Sequence, residues 1–142
     1  MKPVLEVLDL VKQYPGVRAV DGVSFEIAAG SCFGLLGPNG AGKTTTVEIM
    51  EGVTEPTAGR VLYHGEPLGK RFRDEAGIQF QKTALQEFLT VRETLQMFRR
   101  LYPRGRDVDE LIVLCALQQV VDRDNRKLSG GQLQRLLLAI AL

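Results

Sequence analysis

The chain has 142 residues, 44% hydrophobic and 25% charged, the size and balance of one ordinary globular domain rather than of a disordered or fibrous protein. A domain of this length buries roughly 70% of its unfolded surface, enough for a core without disulfide staples. With 18 Lys and Arg against 17 Asp and Glu and a net charge of +1, it carries no long-range positive field, which argues against nucleic acid as a partner. Cys32 and Cys115 each sit inside an apolar run and read as buried thiols in a reducing compartment. The N-terminus is broken by Glu6, Asp9 and Lys12 and lacks the apolar stretch of a secretory signal. The apolar runs "LIVLCAL" and "LLLAIAL" fall far short of the ~20 residues that span a bilayer. Work at a membrane would leave the crossing to another chain.

The first half reads as strands and turns. "VLEVLDLVKQY" is apolar enough for a strand, and Val23, Phe25 and Ile27 alternate with polar neighbours in a second one. Ala29-Gly30 turns the chain into "CFGLL", a short continuous apolar run that predicts a strand buried on both faces. A helix, "GKTTTVEIMEGV", follows and ends near Gly52. After the loop "TEPTAG" come a strand "RVLYH", a turn "GEP" and another strand around "GIQF".

From residue 86 the pattern is helical. Thr90 with Glu93 has capping-box spacing, and Val91, Leu95, Phe98 and Leu101 follow on one face. Asp107 with Glu110 repeats the spacing ahead of Val108, Leu111, Ile112 and Cys115. A last helix sets Leu133, Leu136, Leu137 and Ile140 at i, i+3, i+4 and i+7. The expected organisation is one β-rich α/β core over residues 1–85 and a helical part over 86–142, with no internal repeat.

Residues 37–44, "GPNGAGKT", fit G-x-x-x-x-G-K-[ST]. The glycines at 37, 40 and 42, with Pro38, Asn39 and Ala41 between them, let successive main-chain N–H groups turn inward around phosphate oxygens. The helix that begins at Lys43 adds its positive dipole end. Lys43 reaches toward β- and γ-phosphates, and the Thr44 hydroxyl is a ligand for Mg²⁺. A buried strand before and a helix after are the context this loop requires. A dinucleotide fingerprint is excluded, because no third glycine follows Gly40-Ala41-Gly42 in register.

Further on, "LSGGQLQR" begins at Leu128. Read alone, Ser129 and Gln132 are a capping box that starts a helix. The order "GPNGAGKTT", then Phe80-Gln81, then "LSGGQLQR", with "TEPTAG" and "LTVRETL" between, resembles the ATP-binding cassette (ABC) ATPases over essentially the whole chain. That resemblance implies an α/β P-loop NTPase of ABC type, with an antiparallel β region and an α-helical subdomain, whose C-terminal part lies beyond Leu142.

The resemblance also implies ATP as ligand and roles for particular residues. Tyr14 matches the aromatic that stacks on adenine, Val20 a residue lining the same face, and Thr45 a further phosphate contact. Gln81 matches the glutamine that touches Mg²⁺ and the attacking water. Ser129, Gly130, Gly131 and Gln132 match the signature that closes over the γ-phosphate held by a second ATP-binding subunit, in a head-to-tail dimer. Leu133 departs from the pattern, since a polar residue is common there. An aspartate, a glutamate and a histidine needed for hydrolysis belong to the family beyond the position of Leu142, so this stretch alone is expected to bind ATP without turning it over.

The implied protein is the ATP-binding subunit of a transporter, cytoplasmic and held at the membrane by a separate permease. "MEGVTEPTAG" suggests an exporter-like branch. A non-hydrolysing association module and a soluble ABC protein of repair or translation are the alternatives. His64 reads as a surface histidine. Arg99 and Arg100 read as a solvated face or as an edge that docks on a membrane subunit.

Overall fold

The computed structural model describes residues 2–80, 83–102 and 105–142, organised in two compact units, Met1–Arg73 and Asp74–Leu142. In the first, β1 (Pro3–Tyr14) and β2 (Val17–Ala28) form an antiparallel hairpin. Pro15-Gly16 closes it, with Gly16 at φ 78, a proline followed by a left-handed glycine as a tight turn demands. β3 (Ala58–Tyr63) pairs with the other edge of β1, and the short β4 (Glu66–Pro67) pairs with β3, giving the sheet order β2-β1-β3-β4. Val7 sits opposite both Phe25 and Val61 at the centre of this antiparallel sheet.

The sheet is kinked at Asp9. Its backbone has φ 46, the pairing to both neighbours slips there, and Ser24 Oγ donates to Asp9 Oδ1 at 3.1 Å while accepting from Asp9 N–H at 2.8 Å. Gly59 faces the bulge so closely that a methyl group on it would lie 2.3 Å from the Asp9 carbonyl oxygen. Only glycine fits.

α1 (Lys43–Met50) lies on β1 and β2 and buries Thr46 and Ile49. These join Val7, Leu10, Val20 and Val61 in the buried set of the unit. The run "CFGLL" is not a strand: the four strands pair among themselves and residues 32–36 join none of them. Without a neighbour on each side to take its N–H and C=O groups, an apolar run has no ladder to enter. Phe33 instead stacks on Phe25 of β2, ring centroids 4.8 Å apart, and Leu36 is 92% exposed. Cys32 is accordingly exposed, against its sequence reading, whereas Cys115 is buried as expected.

In the second unit, residues 76–80 carry no strand either. Gln79 Nε2 there donates to Gln134 Oε1 at 2.7 Å. The helices are α3 (Val91–Arg99), α4 (Val108–Leu114) and α5 (Gly130–Ala141); α2 (Lys70–Glu75) spans the boundary between the units and buries Phe72. Val91 and Leu95 of α3, Leu111 and Ile112 of α4, and Leu136 and Ala139 of α5 make one apolar core with Cys115, Leu117 and Val120. Leu101, expected on the buried face of α3, is 68% exposed because the helix ends at Arg99 and the chain turns away.

The capping box of α3 forms as spaced. Thr90 Oγ1 accepts from Glu93 N–H at 3.2 Å, and Thr90 N–H donates to Glu93 Oε2 at 2.8 Å. The spacing at Asp107 yields a cap without the reciprocal bond. Asp107 accepts from Asp109 and Glu110 N–H, while the Glu110 carboxylate takes Arg106 Nη1 instead of reaching back. His64 is exposed in the turn between β3 and β4. Arg99 Nη1 donates to the Tyr102 carbonyl at 2.9 Å.

Candidate functional site

The loop 37–42 is built by left-handed glycines. Gly40 has φ 84 and Gly42 has φ 78, and Gly42 is the residue on which α1 starts. Ala41 N–H donates to the Pro38 carbonyl at 3.3 Å and closes a tight turn. At Gly42 space is exhausted as well: a methyl group would lie 2.0 Å from the Ala19 carbonyl oxygen and 3.4 Å from Val20 Cγ2. Val20, 4% exposed, therefore buttresses the loop from β2.

Lys43 folds back over the loop. Its Nζ donates to the Gly37 carbonyl at 2.7 Å and to the Pro38 carbonyl at 2.7 Å, so the ammonium charge lies inside the curl of 37–43. The start of α1 has no side-chain cap and no acidic residue in its first turn. In contrast, α3, α4 and α5 are capped by Thr90, Asp107 and Ser129. An uncapped first turn leaves main-chain N–H donors open beside a lysine, a setting suited to an anion. Thr44 is exposed in that turn, and Thr45 half-buried behind it; Thr46 Oγ1 donates to the Gly42 carbonyl at 2.9 Å and anchors the loop to the helix. Asn39 is exposed.

Tyr14 ends β1, 39% exposed, with its ring available to solvent. Lys12 Nζ stands 5.1 Å from the ring centroid. Gln81 lies outside the described residues.

The second candidate element is the start of α5. Ser129 Oγ accepts from Gln132 N–H at 3.3 Å, and Ser129 N–H donates to Gln132 Oε1 at 2.9 Å. A methyl group built on Gly130 or Gly131 meets nothing within 4 Å. No packing among the described residues requires glycine at either position, although both lie in the first turn of a helix, where alanine is the better helix former. Leu133 is half-buried. Just upstream, Asp124 takes Arg126 through Nε at 3.0 Å and Nη2 at 2.8 Å, and this pairing holds its carboxyl down at about 2. The Arg126 guanidinium lies 3.7 Å from the Phe88 ring centroid.

Sequence reasoning missed three contributors: Ala19 against Gly42, Lys12 beside Tyr14, and Asn125, which is buried four residues ahead of Ser129. None lies in a motif. Ala19 and Asn125 act on partners far along the chain, and only Lys12, a charge in a largely apolar strand two residues before Tyr14, carries a local hint.

A P-loop on an antiparallel sheet, with a helical unit that carries a glycine-rich helix start, defines a cassette of the ABC type. The family described as ABC transporter matches residues 20–142, and the chain belongs to it. Nod factor export ATP-binding protein I of Burkholderia pseudomallei (strain 1710b) is 41% identical over 139 residues, covering 92% of this chain and 46% of that protein. The protein of the same name from Ralstonia nicotianae is 40% identical over 148 residues, covering 99% of this chain and 46% of that one. The chain thus spans about half the length of the curated relatives it matches.

Among solved structures, cbiO1 of Clostridium perfringens, part of the ABC transporter complex cbiONQ, superposes with a TM-score of 0.85 at 24% identity, over 100% of this chain and 62% of that one. That likeness speaks for the fold. MJ0796, a bacterial ABC transporter cassette solved as a dimer, gives 0.79 at 26% identity, over 97% of this chain and 68% of that one. Among the described residues, no helix is long and apolar enough to cross a membrane.

Proposed function

We propose that this chain binds Mg²⁺-ATP in the loop 37–45 and belongs to the ATP-binding subunit of an export-type ABC transporter. The observation that carries the reading is the inward-turned Lys43 at the uncapped start of α1. An ammonium held by two carbonyls is pre-positioned, and exchanging those carbonyls for phosphate oxygens turns neutral acceptors into charged ones. Main-chain N–H groups of Gly40 and of residues 42–45 take the remaining phosphate oxygens.

The donor set fits a small hard cation in part. Thr44 Oγ1 supplies one protein oxygen, and phosphate oxygens with water supply the rest, as Mg²⁺ prefers. When bound, the cation neutralises charge on the β- and γ-phosphates. Gln81 is the second residue assigned to it by family resemblance. Tyr14 offers its face to adenine.

In this reading Ser129, Gly130, Gly131 and Gln132 serve the nucleotide of a second cassette. The bare glycines, which no packing among the described residues requires, let a phosphate approach the main chain of α5 closely. The subunit works from the cytoplasm, attached to a separate permease. The names of the relatives, which specify export, support the direction of transport.

Titration calorimetry with Mg²⁺-ATP tests the nucleotide reading. The protein should bind, and Lys43→Ala should weaken binding roughly 10- to 100-fold, the worth of a charge-assisted contact of about 1.5–3 kcal/mol. Equal affinities in the two proteins would overturn it.

A further inference from the structure

We propose that Lys12 is a positioning residue for the base, one that holds the Tyr14 ring ready to stack. The inference rests on the reading of Tyr14 as the adenine platform and adds a residue to it. Two contacts carry it. Lys12 Nζ lies 5.1 Å from the Tyr14 ring centroid, within the range in which a cation is attracted to an aromatic face. The same Nζ donates to the Glu55 carbonyl at 2.7 Å.

Glu55 belongs to the loop that leaves α1, and that loop is bound to the end of β1 at two more points. Thr57 N–H donates to the Val11 carbonyl at 2.8 Å, and Gln13 N–H donates to Thr57 Oγ1 at 3.0 Å. Gln13 Nε2 also donates to the Tyr14 carbonyl at 3.1 Å. The last residues of β1 are therefore pinned to the loop behind the phosphate-binding helix. Lys12 extends that pinning to the side chain of Tyr14.

A half-exposed tyrosine at the end of a strand would otherwise sample rotamers, and a base stacking on it would have to freeze that motion. A cation fixed at its own far end restricts the ring beforehand and removes that cost from binding. It occupies one face of the ring and leaves the opposite face for the base. The effect belongs to the base half of the ligand alone.

The test compares Mg²⁺-ATP with inorganic tripolyphosphate, which has the phosphates and no base, by calorimetry. Lys12→Met should weaken ATP about three- to fivefold and leave tripolyphosphate unchanged, whereas Lys12→Arg, which keeps the charge, should retain most of the ATP affinity. In the Tyr14→Ala background Lys12→Met should cost nothing further, the signature of two residues acting as one. Lys12→Met with unaltered ATP affinity, with an equal loss for both ligands, or with a full additional loss beside Tyr14→Ala would each overturn the role of Lys12. Failure of the unsubstituted protein to bind either ligand would overturn the nucleotide reading itself, and this proposal with it.

Discussion

Gly42 touches Ala19: a single methyl on Gly42 would lie 2.0 Å from the Ala19 carbonyl oxygen, well inside contact distance. The same residue holds φ 78 and begins α1. Two independent constraints, conformation and space, thus fall on one position between the phosphate loop and β2. The partner is main chain, which cannot rotate away as a long side chain would.

Gly42→Ala should therefore lower stability by roughly 2–4 kcal/mol, the sum of a left-handed backbone penalty and overpacking against main chain. Gly40→Ala should cost less, since a methyl at Gly40 meets nothing within 4 Å and only its φ of 84 opposes substitution. Urea unfolding of the two variants measures the difference. Equal losses would show that the Ala19 contact yields.

Asn125 organises the helical unit from inside. Its Nδ2 donates to the Gln86 carbonyl at 2.8 Å and to Thr94 Oγ1 at 3.3 Å, and Thr94 Oγ1 in turn donates to the Thr90 carbonyl at 2.8 Å. Asn125 N–H donates to the Leu89 carbonyl at 2.9 Å, so one residue joins the segment before α3, α3 itself and the approach to Ser129. Asn125→Leu should destabilise by about 1–3 kcal/mol despite its greater hydrophobicity, because the buried Thr94 hydroxyl and the Gln86 carbonyl both lose their donor. Thermal melting should register it, and a stability equal to the unsubstituted protein would refute the account.

Asp124 makes the fold sensitive to acid. Hydrogen bonds from the Arg126 side chain and main chain hold its carboxyl down at about 2, below the ordinary value of 3.8. A depressed pKa means the folded state favours the carboxylate, so its contribution is present above about pH 4 and fades as pH falls toward 2. Asp124→Asn should be the less stable protein at neutral pH, and the gap should close over that window. Glu93, lowered by its main-chain and side-chain hydrogen bonds with Thr90, shifts in the same direction and stays in both proteins, so it cancels in the comparison. Denaturation followed from pH 7 to pH 2 tests this; a gap that stays constant would remove Asp124 as the cause.

Chemistry confined to a few neighbouring residues is legible in the sequence itself. The glycine spacing of 37–44 with Lys43, the boxes Thr90–Glu93 and Ser129–Gln132, and the apolar faces of α3 and α5 all act over one or two turns of chain, so adjacency in sequence is adjacency in space. What tertiary structure alone decided depends on pairings across long separations. Lys12 meets Glu55 43 residues away, Asn125 meets Gln86 39 residues away, and Gly42 is forced to be glycine by Ala19 as well as by its own turn. The run "CFGLL" shows the same divide in reverse. Its composition is that of a buried strand, but a strand exists only where another backbone takes its hydrogen bonds, and no property of residues 32–36 themselves can supply that neighbour.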